Sequence, residues 1–158
     1  MPSEHYKCKM KTLILGIGNT ILTDDGVGIR IAQKIKEKKP DLEVIEASET
    51  GVALLDYVVG YDKLIIIDSI KTGEGEPGEL YKLKLKDLKA TTNLFSSHGI
   101  DIATAFELGR GLGYEMPKHI SLYGVETKNN VIFGERCTEE IEKKMLSIVK
   151  QIMEEEKL

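Results

Sequence analysis

This sequence predicts an α/β protein: a three-layer α/β/α sandwich around a twisted, mostly parallel five-stranded sheet. Three observations lead there. Short apolar runs closed by glycine or an acid alternate along the chain with segments of helical periodicity. One of those runs, KLIIID at 63–68, is apolar throughout its middle, as a strand covered on both faces has to be. The 158 residues suffice for one domain with a substantial core, burying roughly 70% of the unfolded surface.

Each element follows from its local pattern. Residues 12–17 form the first strand, a short apolar run that ends in Gly16-Ile17-Gly18-Asn19. Val27, Ile31, Ala32 and Ile35 recur at helical spacing, and Pro40 stops that helix after Lys39. Residues 42–47 alternate as LEVIEA, a strand with one polar face. A short helix spans 52–59 after the loop 48–51. The strand 63–68 ends in Asp68, and the Gly- and Glu-rich stretch 72–78 is an exposed turn. Residues 79–84 alternate and suit an edge strand, and 86–97 read as a loop. The helix 100–112 carries Ile100, Ala103, Ala105 or Phe106, and Leu108 as its apolar stripe. Residues 118–125 are the last strand. Thr138 is a good N-cap for a final helix running to about 155, with Glu139 and Glu140 in its first turn, where the helix dipole favours acids. Ile141, Met145, Ile148, Val149 and Ile152 are its inward face. Residues 1–9 are expected to be a flexible N-terminal tail, and 10–158 a single domain.

Composition narrows the function classes. The net charge of −4 argues against nucleic acid as the main partner. No apolar run approaches the ~18 residues of a membrane span. The segment MPSEHYKCKMK has no apolar core and does not read as a signal peptide. Cys8 and Cys137 are distant and without CxxC partners, which suits unpaired thiols in a reducing, cytoplasmic setting.

In an open α/β sheet, ligands bind beyond the carboxyl ends of the strands. The polar residues expected there are Asn19, Asp24 and Asp25 after the first strand, Asp68 and Ser69 at the end of the third, and Ser96, Ser97 and His98 before the 100–112 helix. Asp25, Asp68 and His98 make an oxygen and nitrogen set that suits a divalent first-row ion with open positions. The same set equally suits a carboxylate base acting on water. Asp24 reads better as a turn former and helix cap. Glu46 and Glu49 are further acids near a strand end, while His5 and His119 read as structural or exposed.

The glycine turn itself separates rival chemistries. A dinucleotide fingerprint needs a third glycine where this chain has Ile21, and the acids at 24 and 25 would repel a pyrophosphate. There is no GK[ST] of a P-loop, and Ser69 in DSIK lacks the flanking glycines of a nucleophile elbow. The Gly-x-Gly-Asn turn also resembles that of peptidyl-tRNA hydrolases, but their Thr-Arg-His-Asn segment and basic surface are missing.

Taken in order, the segments LILGIGNTILTDDGVGIRIAQ, ETGVALLD, LIIIDSIKTGEGEPGELYKL and SSHGIDIATAFELGRGLG resemble the hydrogenase maturation endopeptidases over about residues 10 to 153. These clip the C-terminal extension from the large subunit of nickel–iron hydrogenases. The resemblance implies a phosphorylase/hydrolase-like sandwich and an endopeptidase of aspartic or metal-dependent type. It carries the family's site residues onto Asp25, Asp68 and His98, as catalytic groups and as ligands of nickel. The nickel is then supplied by the hydrogenase large-subunit precursor, the partner, and acts as the recognition signal. A monomer is expected for an enzyme that admits so large a partner. A non-catalytic chaperone that reads the nickel site is the other class the resemblance leaves open. The chain departs from many members at Ala47-Ser48-Glu49-Thr50-Gly51, where an Asp-Gly-Gly/Cys-Thr type loop is common; this marks a different hydrogenase partner.

Overall fold

The computed structural model describes residues 9–48, 51–87, 98–128 and 132–158, with side chains of 98–101 left aside. Its strands are β1 (Thr12–Ile17), β2 (Glu43–Ala47), β3 (Lys63–Ile70), β4 (Leu80–Leu83) and β5 (His119–Glu126). Its helices are α1 (Val27–Lys38), α2 (Leu55–Val58), α3 (His98–Gly111) and α4 (Glu139–Glu156). Tight 3₁₀ turns at Thr23–Gly26 and Gly51–Leu54 lead into α1 and α2.

The sheet order is β2-β1-β3-β5-β4. The first four strands are parallel, and β4 closes the edge antiparallel to β5. Because β2 and β3 pair with opposite sides of β1, the chain changes direction across the sheet there. Loops leaving the carboxyl ends of β1 and β3 diverge at such a point and open a crevice.

Period-2 alternation sorts the apolar side chains into two cores. Leu13, Leu15 and Ile17 of β1 and Leu64 and Ile66 of β3 pack against α2 and α3 through Leu54, Val58, Ile102 and Phe106. Ile14, Ile65, Ile67, Tyr123 and Val125 pack on the other face against α1 and α4. All five residues expected on the inner stripe of α4 are buried there. The same parity puts Asp68 on the α2–α3 face, with Leu64 and Ile66.

The structure refines several local expectations. β3 continues to Ile70, so Asp68 lies within the ladder, opposite Gly124 of β5, rather than at its last rung. Buried backbone continues to find partners in β5, and an acid does not by itself end a strand. α3 starts at His98, two residues early. Leu108 proves exposed on it while Ile102 is buried, since the covered stripe is 102, 103, 105 and 106. Ile100, part of the expected stripe, has its side chain outside the described residues, and residues 1–8 and 88–97, expected as part of the tail and of a loop, lie outside them altogether.

Candidate functional site

The loop after β1 depends on two close backbone approaches. Gly18 has φ of 150°, and a Cβ on it would lie 2.1 Å from the Asp25 carbonyl oxygen. A Cβ on Gly28 would lie 2.2 Å from the Ile67 carbonyl oxygen and 2.7 Å from that of Ile17. Hydrogen at these positions lets the loop fold back on itself and lets the first turn of α1 press onto the ends of β1 and β3. The glycines that look like a phosphate cradle therefore serve packing.

Within the loop the backbone is held by its own side chains. Asn19 Oδ1 accepts the Ile21 N–H at 3.1 Å, an Asx turn. The Asn19 N–H donates to Asp25 Oδ2 at 2.9 Å, and the Asp25 N–H donates to the Leu22 carbonyl at 2.8 Å. Thr23 takes φ of 36°, a left-handed conformation that costs a β-branched residue about 1 kcal/mol or more. It is retained because its N–H donates to the Gly134 carbonyl and its hydroxyl to that of Ile132.

The two adjacent acids separate completely. Asp24 turns away from the crevice and accepts the Thr138 N–H at 2.6 Å and the Thr138 hydroxyl at 3.0 Å. It is in a turn, as expected, but it does not cap its own helix. The N-cap position of α1 is Gly26, with no side-chain bond, and Asp24 instead anchors the start of α4. Thr138 holds the N-cap position of α4 as expected, yet its hydroxyl is spent on Asp24. Asp25 turns inward, 6% exposed, and meets the end of β3.

Ser69 joins the two inward acids. Its N–H donates to Asp68 Oδ1 at 2.8 Å, and its hydroxyl donates to Asp25 Oδ1 at 3.4 Å. Asp68 is 1% exposed, and its Oδ2 has no hydrogen-bond partner among the described residues. Burial raises its proton affinity well above the ordinary carboxylate range; the Ser69 N–H lowers it somewhat, and the charge of Asp25 raises it further. Two carboxylates so placed call for a proton or a cation between them.

His98 is the first residue of α3, and its side chain lies outside the described residues. The topology nonetheless decides which end of the sheet it occupies. The carboxyl end of α3 leads to the start of β5, where the Glu115 carbonyl accepts the N–H of Gly60 just before β3. α3 therefore runs antiparallel to β3 and β5, and its amino end lies at their carboxyl ends, the end that carries Asp25 and Asp68. Among the described residues no cluster of three or more histidine, cysteine or acidic side chains forms.

The other candidates fall elsewhere. Glu46 accepts the Gln33 amide at the surface, and His119 is exposed at the opposite end of the sheet. Glu49 and His5 lie outside the described residues. The sequence reading passed over Glu126, a buried acid at the end of β5. It accepts the Thr72 N–H at 3.0 Å and the Thr72 hydroxyl at 2.7 Å, pinning the turn after β3 to β5. An acid closing an apolar strand was the available signal, as at Asp68. The bridging role of Ser69 has no spacing signature; the sequence offers it only as a residue beside Asp68 and as a serine without the glycines of a nucleophile elbow.

Fold and site together define a doubly wound α/β protein with a buried carboxylate pair at its switch point. The profile of the hydrogenase maturation proteases matches residues 29–155. The chain is 34% identical over 120 residues to the hydrogenase 2 maturation protease of Escherichia coli, an alignment that covers 73% of each protein. Its fold superposes on the E. coli hydrogenase-maturating endopeptidase HybD with a TM-score of 0.77 and 30% identity, covering 91% of this chain and 90% of that one. It also shares the fold of the [NiFe] hydrogenase maturation protease HybD of Thermococcus kodakarensis, at a TM-score of 0.72 and 22% identity over 92% of this chain and 98% of that one. The chain belongs to the hydrogenase maturation protease family, and so to the peptidases.

Proposed function

We propose that this protein is an endopeptidase that removes the C-terminal extension of a nickel–iron hydrogenase large-subunit precursor and recognises that precursor by the nickel it already carries. The observation that carries the reading is the buried, unpartnered Oδ2 of Asp68 beside Asp25. A member of a peptidase family whose crevice holds two acids has there the groups that peptide hydrolysis needs.

Nickel in this reading is part of the substrate. Asp25, Asp68 and His98 hold it through carboxylate oxygens and an imidazole, leaving positions for the precursor's own ligands. Water adds to the scissile carbonyl carbon, the C–N bond breaks, and the water's proton ends on the leaving amine. A carboxylate with the raised proton affinity of Asp68 suits the role of base in that transfer. Ser69 positions both acids through one backbone and one side-chain bond. The aspartic and metal-assisted descriptions differ only in whether a carboxylate or the precursor's nickel polarises the attacking water. Among the described residues no helix is long and apolar enough to cross a membrane, and the buried Cys137 thiol is free, which suits an enzyme working in a reducing cytoplasm.

Mass spectrometry of precursor mixed with enzyme tests the reading. Wild type shortens nickel-loaded precursor and leaves nickel-free precursor intact, and Asp25→Ala cuts neither. Equal cutting of both precursors removes nickel recognition, and full activity in Asp25→Ala removes the site. A stable complex with no change of mass replaces the protease with a chaperone.

A further inference from the structure

The loop that carries Asp25 is paired along its outer side with a segment at Gly134, far along the chain, and exposed apolar residues flank that pairing. Leu22 and Gly134 form an isolated parallel bridge. The Gly134 N–H donates to the Ile21 carbonyl at 2.9 Å, and the Thr23 N–H donates to the Gly134 carbonyl at 3.1 Å. The bridge sets two apolar residues next to it, Ile21 just before Leu22 and Phe133 just before Gly134. Both face solvent: Ile21 is 55% exposed and Phe133 78% exposed, with Ile132 at 58% next along the chain. Single exposed apolar residues are ordinary, whereas here an aromatic and two isoleucines flank one bridge.

We propose that Ile21 and Phe133, with Ile132, are the docking rim for an apolar surface of the protein substrate beside its scissile bond, an inference that rests on the proposed protease function. The occupant follows from continuity with the site. Asp25 N–H donates to the carbonyl of Leu22, the bridge residue itself, so the patch and the candidate catalytic carboxylate are two sides of one turn. A folded precursor that brings a peptide bond to Asp25 and Asp68 must pass over this turn. The turn is also rigidly referenced to the sheet. Asp24 binds the start of α4, and Arg30 of α1 donates to the Glu135 carbonyl just past the bridge. A partner seated on Phe133 is thereby bound at the same turn that carries the carboxylate, which adds affinity to substrate and transition state alike. Exposed aromatic anchors of this kind carry much of the affinity in protein interfaces.

The test uses the full chain and purified nickel-loaded precursor, with affinity, cleavage and thermal melting measured on wild type, Phe133→Asp, Ile21→Ser and Phe133→Leu. Phe133→Asp weakens binding about 10-fold or more and raises KM in step, while kcat stays within about twofold and the melting temperature holds. Ile21→Ser does the same more weakly, and Phe133→Leu retains most of the affinity. Unchanged affinity in Phe133→Asp overturns the docking rim, as does failure of wild type to bind precursor at all. Sedimentation that shows a wild-type dimer split by Phe133→Asp, with precursor affinity intact, assigns the patch to a second copy and overturns the proposal too. Wild type that binds precursor without changing its mass removes the protease reading, yet a Phe133-dependent affinity still supports the rim.

Discussion

β3 has a buried acid near each of its ends, and the two are treated in opposite ways. At its amino end Glu156 of α4 meets Lys63 Nζ at 2.9 Å and the Tyr123 hydroxyl at 2.6 Å, with Lys82 Nζ at 3.3 Å. Burial opposes its charge, but hydrogen bonds from Tyr123, Lys63 and Ser121 and the charge of Lys63 outweigh that and hold Glu156 down at about 2. Tyr123 is pushed up in turn, by burial first and then by Glu156, so it stays a donor. At the carboxyl end Asp68 has one backbone donor, an acidic neighbour and an oxygen with no partner, and its proton affinity is raised. Burial alone does not tell a compensated acid from an uncompensated one. The partners do: Glu156 is compensated and pins α4 to the sheet, whereas Asp68 is left with an unmet demand that a substrate can satisfy.

Asp68→Asn has the largest expected effect. It removes the charge while nearly keeping the shape, so cleavage of the precursor should fall about 10³-fold, read by single-turnover kinetics. The same change should stabilise the fold by about 1 kcal/mol, near 3 °C in melting temperature, because an uncompensated buried carboxylate disappears. A variant less stable than wild type at neutral pH would break the contrast between the two ends.

Gly28→Ala comes next. The added methyl meets the Ile67 and Ile17 carbonyls, which are backbone and cannot move aside. α1 must lift from the sheet, at about 3 kcal/mol by denaturant titration, with loss of activity as Asp25 shifts.

Glu156→Gln should cost about 2 kcal/mol and leave kcat unchanged, the reverse of Asp68→Asn. The pH dependence has opposite signs at the two acids. Glu156 has a folded pKa below its ordinary 4.5, so its contribution is complete above about 4.5 and fades as pH falls towards 2. Asp68 has a folded pKa above its ordinary 3.8, so its contribution is present below that value and is lost as pH rises through the folded pKa. Urea titrations from pH 3 to 8 should therefore show Glu156→Gln flattening the acid limb, and the gain from Asp68→Asn growing with pH.

Thr138→Val is the smallest change. It deletes one of the two bonds to Asp24 and keeps the backbone one, at about 1 kcal/mol. Equal loss in Asp24→Asn would show that the charge of Asp24 adds nothing to the anchor.

Most of the architecture is legible along the chain because it follows from local rules. Apolar runs, the 3.6-residue stripe of α4, Pro40 after α1 and the glycine turn after β1 are patterns within a dozen residues, and each appears where its periodicity places it. The ordered segments that resemble the family are equally local, and they identify it before any coordinate is known. The site was only partly legible. Asp25 and Asp68 stand out in the sequence by their places after strands, and the sheet order brings their loops to one end of the sheet. Asp24 is expected as a turn and cap residue, yet the partner it holds lies 114 residues away, where no spacing rule operates. Ser69 as the bridge, Glu126 as a compensated acid, and Leu22 paired with Gly134 are contacts of the same long-range kind. Strand and helix periods record which face a residue takes. Which distant partner meets it there depends on how the layers close, and closure also decides whether a buried carboxylate is neutralised, as at Glu156, or left waiting, as at Asp68.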